Sequence, residues 1–214
     1  AVASAVLVLA VAGTHESHAD VEHHHNDAAV AAKATQKQAA FHDAMRKLWE
    51  DHITWTRLAI ISFAHDLPDL PATQARLLKN QEDIGNAIKP YYGKAAATQL
   101  TALLKEHIVG AVALLQAAKA GDQALIKQRT DEWYVNGNEI ADFLAKANPR
   151  NLSRKEMRRM MKGHLDQTLS EGVNRLSGKY DADVRDYDEI HHHILRMADT
   201  LSNGIIKQFP RRFR

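Results

Sequence analysis

Apolar residues recur at alternating steps of four and three in six successive stretches of this chain. In the first stretch the series runs Phe41, Met45, Leu48, His52, Trp55 and Ala59. This spacing places the side chains on one face of an α-helix, the face that packs against the rest of a protein. No stretch shows the alternation of apolar and polar residues that is typical of a β-strand. The pattern therefore predicts an all-α protein.

Prolines, glycines and capping residues separate these stretches. Pro90 bars a helix from continuing, and Gly121 followed by Asp122 supplies a helix-ending glycine and an N-cap. Ser153 and Glu156 form a capping box. The predicted helices span residues 41–65, 72–89, 95–119, 122–147, 154–176 and 180–208. Short connections favour antiparallel neighbours, so we expect an antiparallel up-down bundle of six helices, made of three helical hairpins and preceded by a disordered arm.

The first forty residues differ in composition from the rest. Residues 1–13 are apolar and uncharged but too few to span a bilayer comfortably, and residues 17–19 resemble a signal-peptidase site. We predict a signal-peptide remnant at 1–19, a flexible His-rich arm at 20–40 and a helical domain at 41–210. The protein is therefore expected to be exported to the periplasm or beyond, with no stable membrane span after processing. An uncleaved membrane anchor is the alternative.

Composition and missing motifs exclude several classes of function. The formal net charge is only +2 and no cysteine is present, which excludes thiolate metal sites, disulfides and Cys nucleophiles. Basic residues at 150–162 and 211–214 suit phosphate head groups or a polyanion, but a solvated helix face is their ordinary explanation. The Gly-rich phosphate loops, the His-Glu-x-x-His motif and the Gly-x-Ser-x-Gly motif are all missing. We therefore predict a protein that is not an enzyme and does not bind nucleic acid.

Histidines interrupt several of the apolar stripes. His52, His107 and His164 each precede an aliphatic residue, and each lies 13 residues before a turn position, namely His65, Ala120 and Ser177 in that order. They belong to the first, third and fifth predicted helices, which point the same way in an up-down bundle, so the three imidazoles are expected at one depth. His191 interrupts the stripe of the last helix. A buried imidazole needs a hydrogen-bond partner or a metal ion, because an unpaired polar group in the core costs free energy.

Returning helices are expected to bring further polar groups to this depth. The alternatives are Asp83 or Asn86, Asn136 or Glu139, and Asp188 or His191. Imidazole and carboxylate groups from facing helices build metal sites in helical bundles. We therefore predict a transition-metal site, for Zn, Cu or Ni. The candidate metal ligands are His52, Asp83, His107, His164, Asp188 and His191.

Three further interpretations remain open. The polar layer is equally compatible with a structural or interaction protein in which it only sets helix register. A small-molecule sensor would use a cavity around Trp49, Trp55, Trp133 and Tyr134. The histidines of the arm, at 23–25, are also suited to loose metal binding.

Three segments carry a family resemblance. LWEDHITWTR at 48–57, DIGNAIKPYYG at 83–93 and ADTLSNGIIKQFP at 198–210 resemble a family of small, often exported, all-helical bacterial proteins of no established activity. Its members are sometimes labelled glycosyltransferase or acetylglutamate kinase. Those labels imply a nucleotide-binding α/β fold with glycine loops, which this sequence does not predict. The resemblance covers residues 41–209 and implies no site residues or cofactor.

Overall fold

The computed structural model describes the backbone of residues 18–214 and the side chains of residues 32–214. Within this part of the chain the protein is helical and contains no strand. The helices are α1 (His18–Ala64), α2 (Leu70–Ala120), α3 (Gln123–Ala147), α4 (Arg154–Leu176) and α5 (Tyr180–Gln208), followed by a 3-10 helix (Pro210–Phe213). The predicted all-α class is confirmed.

One residue interrupts α2. Gly93 has φ 83° and ψ 174°, which are not helical values, and glycine adopts this conformation because it has no Cβ. Pro90, three residues earlier, lacks the N–H that an uninterrupted helix needs. The chain reverses at this point. The second and third predicted helices correspond to the two halves of α2, which Gly93 separates without a connecting loop, so six separate helices are not confirmed.

The two halves of α2 lie side by side after this reversal. Lys105 Nζ lies 2.6 Å from Glu82 Oε1. A Cβ on Gly85 would lie 2.9 Å from the carbonyl oxygen of Ala97 and would clash with the Thr101 hydroxyl. The close approach of the two halves therefore requires a glycine at position 85.

The remaining junctions follow the chemistry that their sequences predict. Gly121 ends α2 with φ 70°, and the Asp122 side chain accepts a hydrogen bond from the N–H of Leu125 at the start of α3. Ser153 caps α4 by accepting from the N–H of Glu156. These caps let α3 and α4 begin directly after short turns, and short turns favour antiparallel packing.

The N-terminal predictions have different outcomes. Residues 20–40 belong to α1, so the flexible arm is not confirmed. The predicted signal segment lies, up to residue 17, outside the described residues.

The helices pack in chain order, and α5 closes the bundle by packing against α1. The shared core contains the fully buried Ile53, Ile84, Ile140, Leu165 and Ile194. Among the described helices, α2 alone is long and apolar enough to cross a membrane by length and composition. Core helices of water-soluble proteins meet the same criterion, so this property assigns no membrane span.

Candidate site in the helical core

Three histidines from three helices lie side by side in the core. The ring centre of His164 in α4 lies 5.5 Å from that of His52 in α1 and 6.0 Å from that of His107 in α2. The three side chains are only 3%, 4% and 3% exposed, in chain order. We call these three side chains the imidazole cluster. The fold thus brings together three of the six predicted ligands.

The other three predicted ligands lie elsewhere, which corrects their expected position. Asp83 is on the surface of α2, where its carboxylate lies 3.1 Å from Lys79 Nζ, and Asp188 is exposed. His191 is half-buried, and its Nε2 lies 2.6 Å from Glu50 Oε1. The reason is the direction of each side chain around its helix. Successive residues are turned by about 100°, and the residues that face the core in α2 and α5 are not these three.

Two polar residues of α2, neither predicted from the sequence as part of a site, hold His52 in place. Gln81, fully buried in α2, donates from Nε2 to the carbonyl oxygen of Leu77 (2.8 Å), and its second hydrogen is shared between His52 Nδ1 and Asn80 Oδ1 (3.2 Å each). Its neighbour Asn80 donates to the carbonyl oxygen of Leu48 in α1 (3.0 Å). Because Nδ1 of His52 accepts a hydrogen bond, the neutral ring carries its proton on Nε2.

His107 has the opposite tautomer. Its Nδ1 lies 3.1 Å from Asn136 Oδ1. The orientation of that amide is set by its own donation, from Nδ2 to the carbonyl oxygen of Leu103 (3.1 Å). Nδ1 of His107 is therefore the donor, and Nε2 keeps its lone pair. Asn136 is one of the two residues that the sequence offered for this position.

His164 has a fully buried ring nitrogen without a partner in the described chain. Its Nδ1 is buried and has no hydrogen-bond partner among the described residues. Beside it, His193 of α5 is buried and donates from Nε2 to the carbonyl oxygen of Met160 (2.8 Å). Gly163 makes room for that ring, since a Cβ there would lie 3.1 Å from His193 Cε1. His193, and not His191, is therefore the core histidine of α5.

Burial keeps the cluster neutral. It lowers the pKa of His52 to about 3, with a smaller contribution from His107. It lowers the pKa of His107 to about 4, opposed by the hydrogen bond to Asn136. Burial, together with repulsion from the neighbouring histidines, holds the pKa of His164 well below its usual value. All three rings are uncharged at neutral pH, which is the form that binds a metal ion and also the form of a purely structural histidine.

The rings are slightly too far apart for metal coordination. No three His, Asp or Glu side chains in the described part of the chain are arranged so that they could hold a metal ion. Two imidazoles bound to one zinc-like ion have ring centres about 5 Å apart, given Zn–N distances of about 2.0–2.1 Å. Metal binding would therefore draw His164 about 0.5–1 Å closer to each of its two neighbours.

A buried ion network lies two helical turns from the cluster. Arg57 of α1 lies 2.7 Å from Glu171 Oε1 and 2.9 Å from Asp183 Oδ1, and Arg175 lies 3.0 Å from Asp183 Oδ2. Burial raises the pKa of Glu171 to about 7, against the lowering by Arg57. This network was not predicted from the sequence. A usable signal was present, because Glu171 follows His164 by seven residues and so shares its helix face.

The aromatic residues proposed for a sensor do not surround one cavity. Trp133 lines a cavity of about 430 Å³ between α2 and α3, whereas the cavity beside Trp49 measures only about 20 Å³. Trp55 packs under the Arg76 guanidinium, 5.2 Å from its ring centre. These positions give no support to a shared pocket.

Comparison of the chain with protein-family models, with curated proteins and with solved structures gives no match in any of the three. The family resemblance of the three segments therefore stays a prediction. Function has to be argued from the geometry of the core.

Proposed function

We propose that this protein is a non-enzymatic binding protein that holds one transition-metal ion in the imidazole cluster. The observation that carries the proposal is the meeting of three neutral imidazoles from three helices around His164, whose Nδ1 has no partner among the described residues. An unpaired nitrogen in a buried site costs free energy, and a metal ion would remove that cost. Export is proposed as well, on the sequence of residues 1–19 alone.

Each histidine has a defined part in this proposal. His107 is already oriented, because Asn136 holds its Nδ1–H and leaves the Nε2 lone pair for the metal. His164 offers Nδ1. His52 binds through Nε2 only after its proton moves to Nδ1, and Gln81 then has to turn its amide. The buried Oε1 of Gln81 has no partner among the described residues, so it is free to accept a hydrogen bond from the Nδ1–H of His52.

The donor set defines the class of metal. The cluster contains imidazole nitrogen and no carboxylate or thiolate, because Asp83 and Asp188 lie outside it. Neutral imidazoles favour Zn, Cu or Ni over Mg or Ca, which prefer oxygen ligands. We propose a divalent ion of the first group.

A structural layer is the alternative function. The bond from Gln81 to His52 Nδ1 supports it, because it leaves a proton on the nitrogen that a metal would need. In this case the cluster fixes the register of α1, α2 and α4, and the protein serves as a helical scaffold or interaction partner.

Metal analysis of untagged protein tests the proposal. The histidines of residues 15–25 are first replaced by asparagine, so that loose binding there is not counted. After dialysis against Zn²⁺, Cu²⁺ or Ni²⁺, mass spectrometry is expected to find one equivalent of metal per chain. His164→Leu is expected to lose it, whereas His192→Leu, at an exposed position of α5, retains it.

Two outcomes would overturn metal binding. One is an equal metal content in the two leucine variants, which would place any bound metal outside the cluster. The other is a folded His107→Leu variant that is as stable as the parent or more stable, with no metal in either protein. That result would establish the structural layer, because a buried polar group that only sets register lowers stability.

A further inference from the structure

Four stretches of the chain contain no Asp or Glu, and the fold brings all four to one end of the bundle. They are residues 32–42, 84–98, 143–155 and 200–214. Phe213 lies 5.2 Å from Phe41 and 5.6 Å from Tyr91 between ring centres, and Gln208 Nε2 donates to the carbonyl oxygen of Ala147 (3.1 Å). We call these four stretches together the basic end.

The basic end carries an excess of exposed positive charge. In chain order the stretches contain two, two, four and four Lys or Arg residues, and all of them are exposed. Among residues 32–214 only one of these cations, Arg154, forms an ion pair, with Asp142. Positive charge that is not balanced by neighbouring acids therefore covers this end.

Basic residues elsewhere in the described chain are mostly paired with acids. Lys119 pairs with Asp66 and Lys162 with Asp166, each through close contacts. The exceptions are Lys179, Arg185 and Arg196, which have no ion pair in residues 32–214. The turns at the opposite end carry the acids Asp66, Asp69 and Asp122. The charge of the protein is thus arranged along the bundle axis, although its net value is only +2.

We infer that the basic end is a docking surface for membranes rich in anionic phospholipid. Its cations lie on helix ends and turns around a packed aromatic cluster, in which Phe213 is only 3% exposed. Single-stranded nucleic acid needs exposed aromatic rings for stacking, and duplex DNA needs a helix or ribbon that enters a groove. α1 projects past this end, so the cationic turns and chain segments around its base suit the head groups of an anionic surface instead. This inference is independent of the metal-binding proposal.

The two chain segments at the basic end, residues 32–42 and 200–214, are in direct contact, because Lys37 donates to a backbone oxygen of Arg214. Their cations therefore face the same region of a membrane surface. Attraction to the head groups acts only within about 8–10 Å at physiological salt, so the position of the cations matters more than net charge.

Vesicle flotation with the full chain tests this inference. The parent protein is expected to bind phosphatidylcholine vesicles that contain about 30% phosphatidylglycerol, a strongly anionic surface, and to be released by high salt. The triple variant Lys94→Glu, Arg150→Glu, Arg211→Glu is expected to bind at least about 100-fold more weakly. These three side chains are exposed and form no ion pair in residues 32–214, so the fold is expected to persist, which circular dichroism checks.

The matched control reverses three unpaired cations elsewhere: Lys179→Glu, Arg185→Glu, Arg196→Glu. It changes the net charge by the same amount. Binding is expected to stay within about threefold, since these residues lie about 18 Å or more along α5 from its end at Gln208, beyond the range of the surface potential. Equal losses in the two variants would overturn the inference, because net charge alone would explain binding. Salt-insensitive binding to pure phosphatidylcholine would also overturn it. So would tighter binding of duplex DNA than of anionic vesicles, with the same dependence on the basic end.

Discussion

The indole of Trp133 stacks on the imidazole of His107, with ring centres 5.0 Å apart, and its Nε1–H donates to the carbonyl oxygen of the same histidine over 3.0 Å. Asn136, one turn further along α3, accepts from the ring of His107. Gly110 leaves space for the indole, since a Cβ there would lie 3.1 Å from Trp133 Cδ1. Residues of α3 therefore hold both the side chain and the backbone of His107, which belongs to α2.

The free energy of unfolding is expected to fall steeply as the pH is lowered from about 6.5 to about 4.5. Each cluster histidine has a folded-state pKa far below that of an unfolded histidine. Unfolding therefore takes up protons in this range, and the stability that is present above pH 6.5 is lost as the pH falls. Glu171 acts oppositely, because its folded pKa of about 7 exceeds the unfolded value. The net uptake of about two protons gives about 3 kcal/mol per pH unit.

Chemical denaturation at a series of pH values measures this slope. His164→Leu is expected to reduce it by about one proton, or about 1.4 kcal/mol per pH unit. His192→Leu, at an exposed position, serves as the control and is expected to leave the slope unchanged. The same slope in the parent and in His164→Leu would show that burial does not lower the pKa of His164 in the folded protein.

Arg57→Met is expected to destabilise the protein by about 3–5 kcal/mol at pH 8, because it leaves Glu171 and Asp183 buried with one fewer cation. The loss is expected to be smaller at pH 5, where Glu171 is protonated and needs no counter-charge. Urea denaturation at both pH values measures this difference. Arg46→Met breaks the more exposed pair with Asp199. It is expected to lower the free energy of unfolding much less, and by the same amount at pH 8 and pH 5.

Two glycine substitutions separate rigid from adaptable packing. Gly85→Ala is expected to cost about 1–3 kcal/mol, because its Cβ would meet the backbone oxygen of Ala97. Gly137→Ala places its Cβ against the end of the Leu165 side chain, which can rotate, and alanine favours the helix over glycine by about 1 kcal/mol. The second variant is expected to be near neutral in thermal unfolding. Equal losses in both would show that the Leu165 side chain yields no more readily than the backbone of Ala97.

Helix positions and turns were predictable because they depend on local chemistry. Gly121, Asp122 and Ser153 act where the sequence places them. The meeting of His52 and His164 was also predictable, because both lie at the same distance from a hairpin turn. The reversal inside α2 was indicated by Pro90 and Gly93, but a single non-helical residue is enough for it, so the helix count differs.

The helix face of the remaining polar residues was not predictable. Asp83 and the buried Gln81 are two residues apart, and so are His191 and the buried His193. Two residues are a turn of about 200° around a helix, enough to exchange core for solvent. In α5 the exposed Val184 shares its helix face with His191, whereas the buried face passes through Ile190, Ile194 and Met197 and includes His193. The basic end was equally hidden, because its four stretches are distant in sequence and meet only in the fold.

Opposite tautomers are expected for two histidines of the cluster. In metal-free protein near pH 7, ¹⁵N-resolved NMR of the rings is expected to find the proton of His52 on Nε2 and that of His107 on Nδ1, because Gln81 donates to the first ring and Asn136 accepts from the second. Gln81→Leu is expected to remove the restriction on His52 only, and Asn136→Leu that on His107 only. If Zn²⁺ enters the cluster, the His52 proton is expected to move to Nδ1 while that of His107 stays. Identical tautomers in the metal-free protein would contradict the hydrogen bonds on which both proposed roles of the cluster depend.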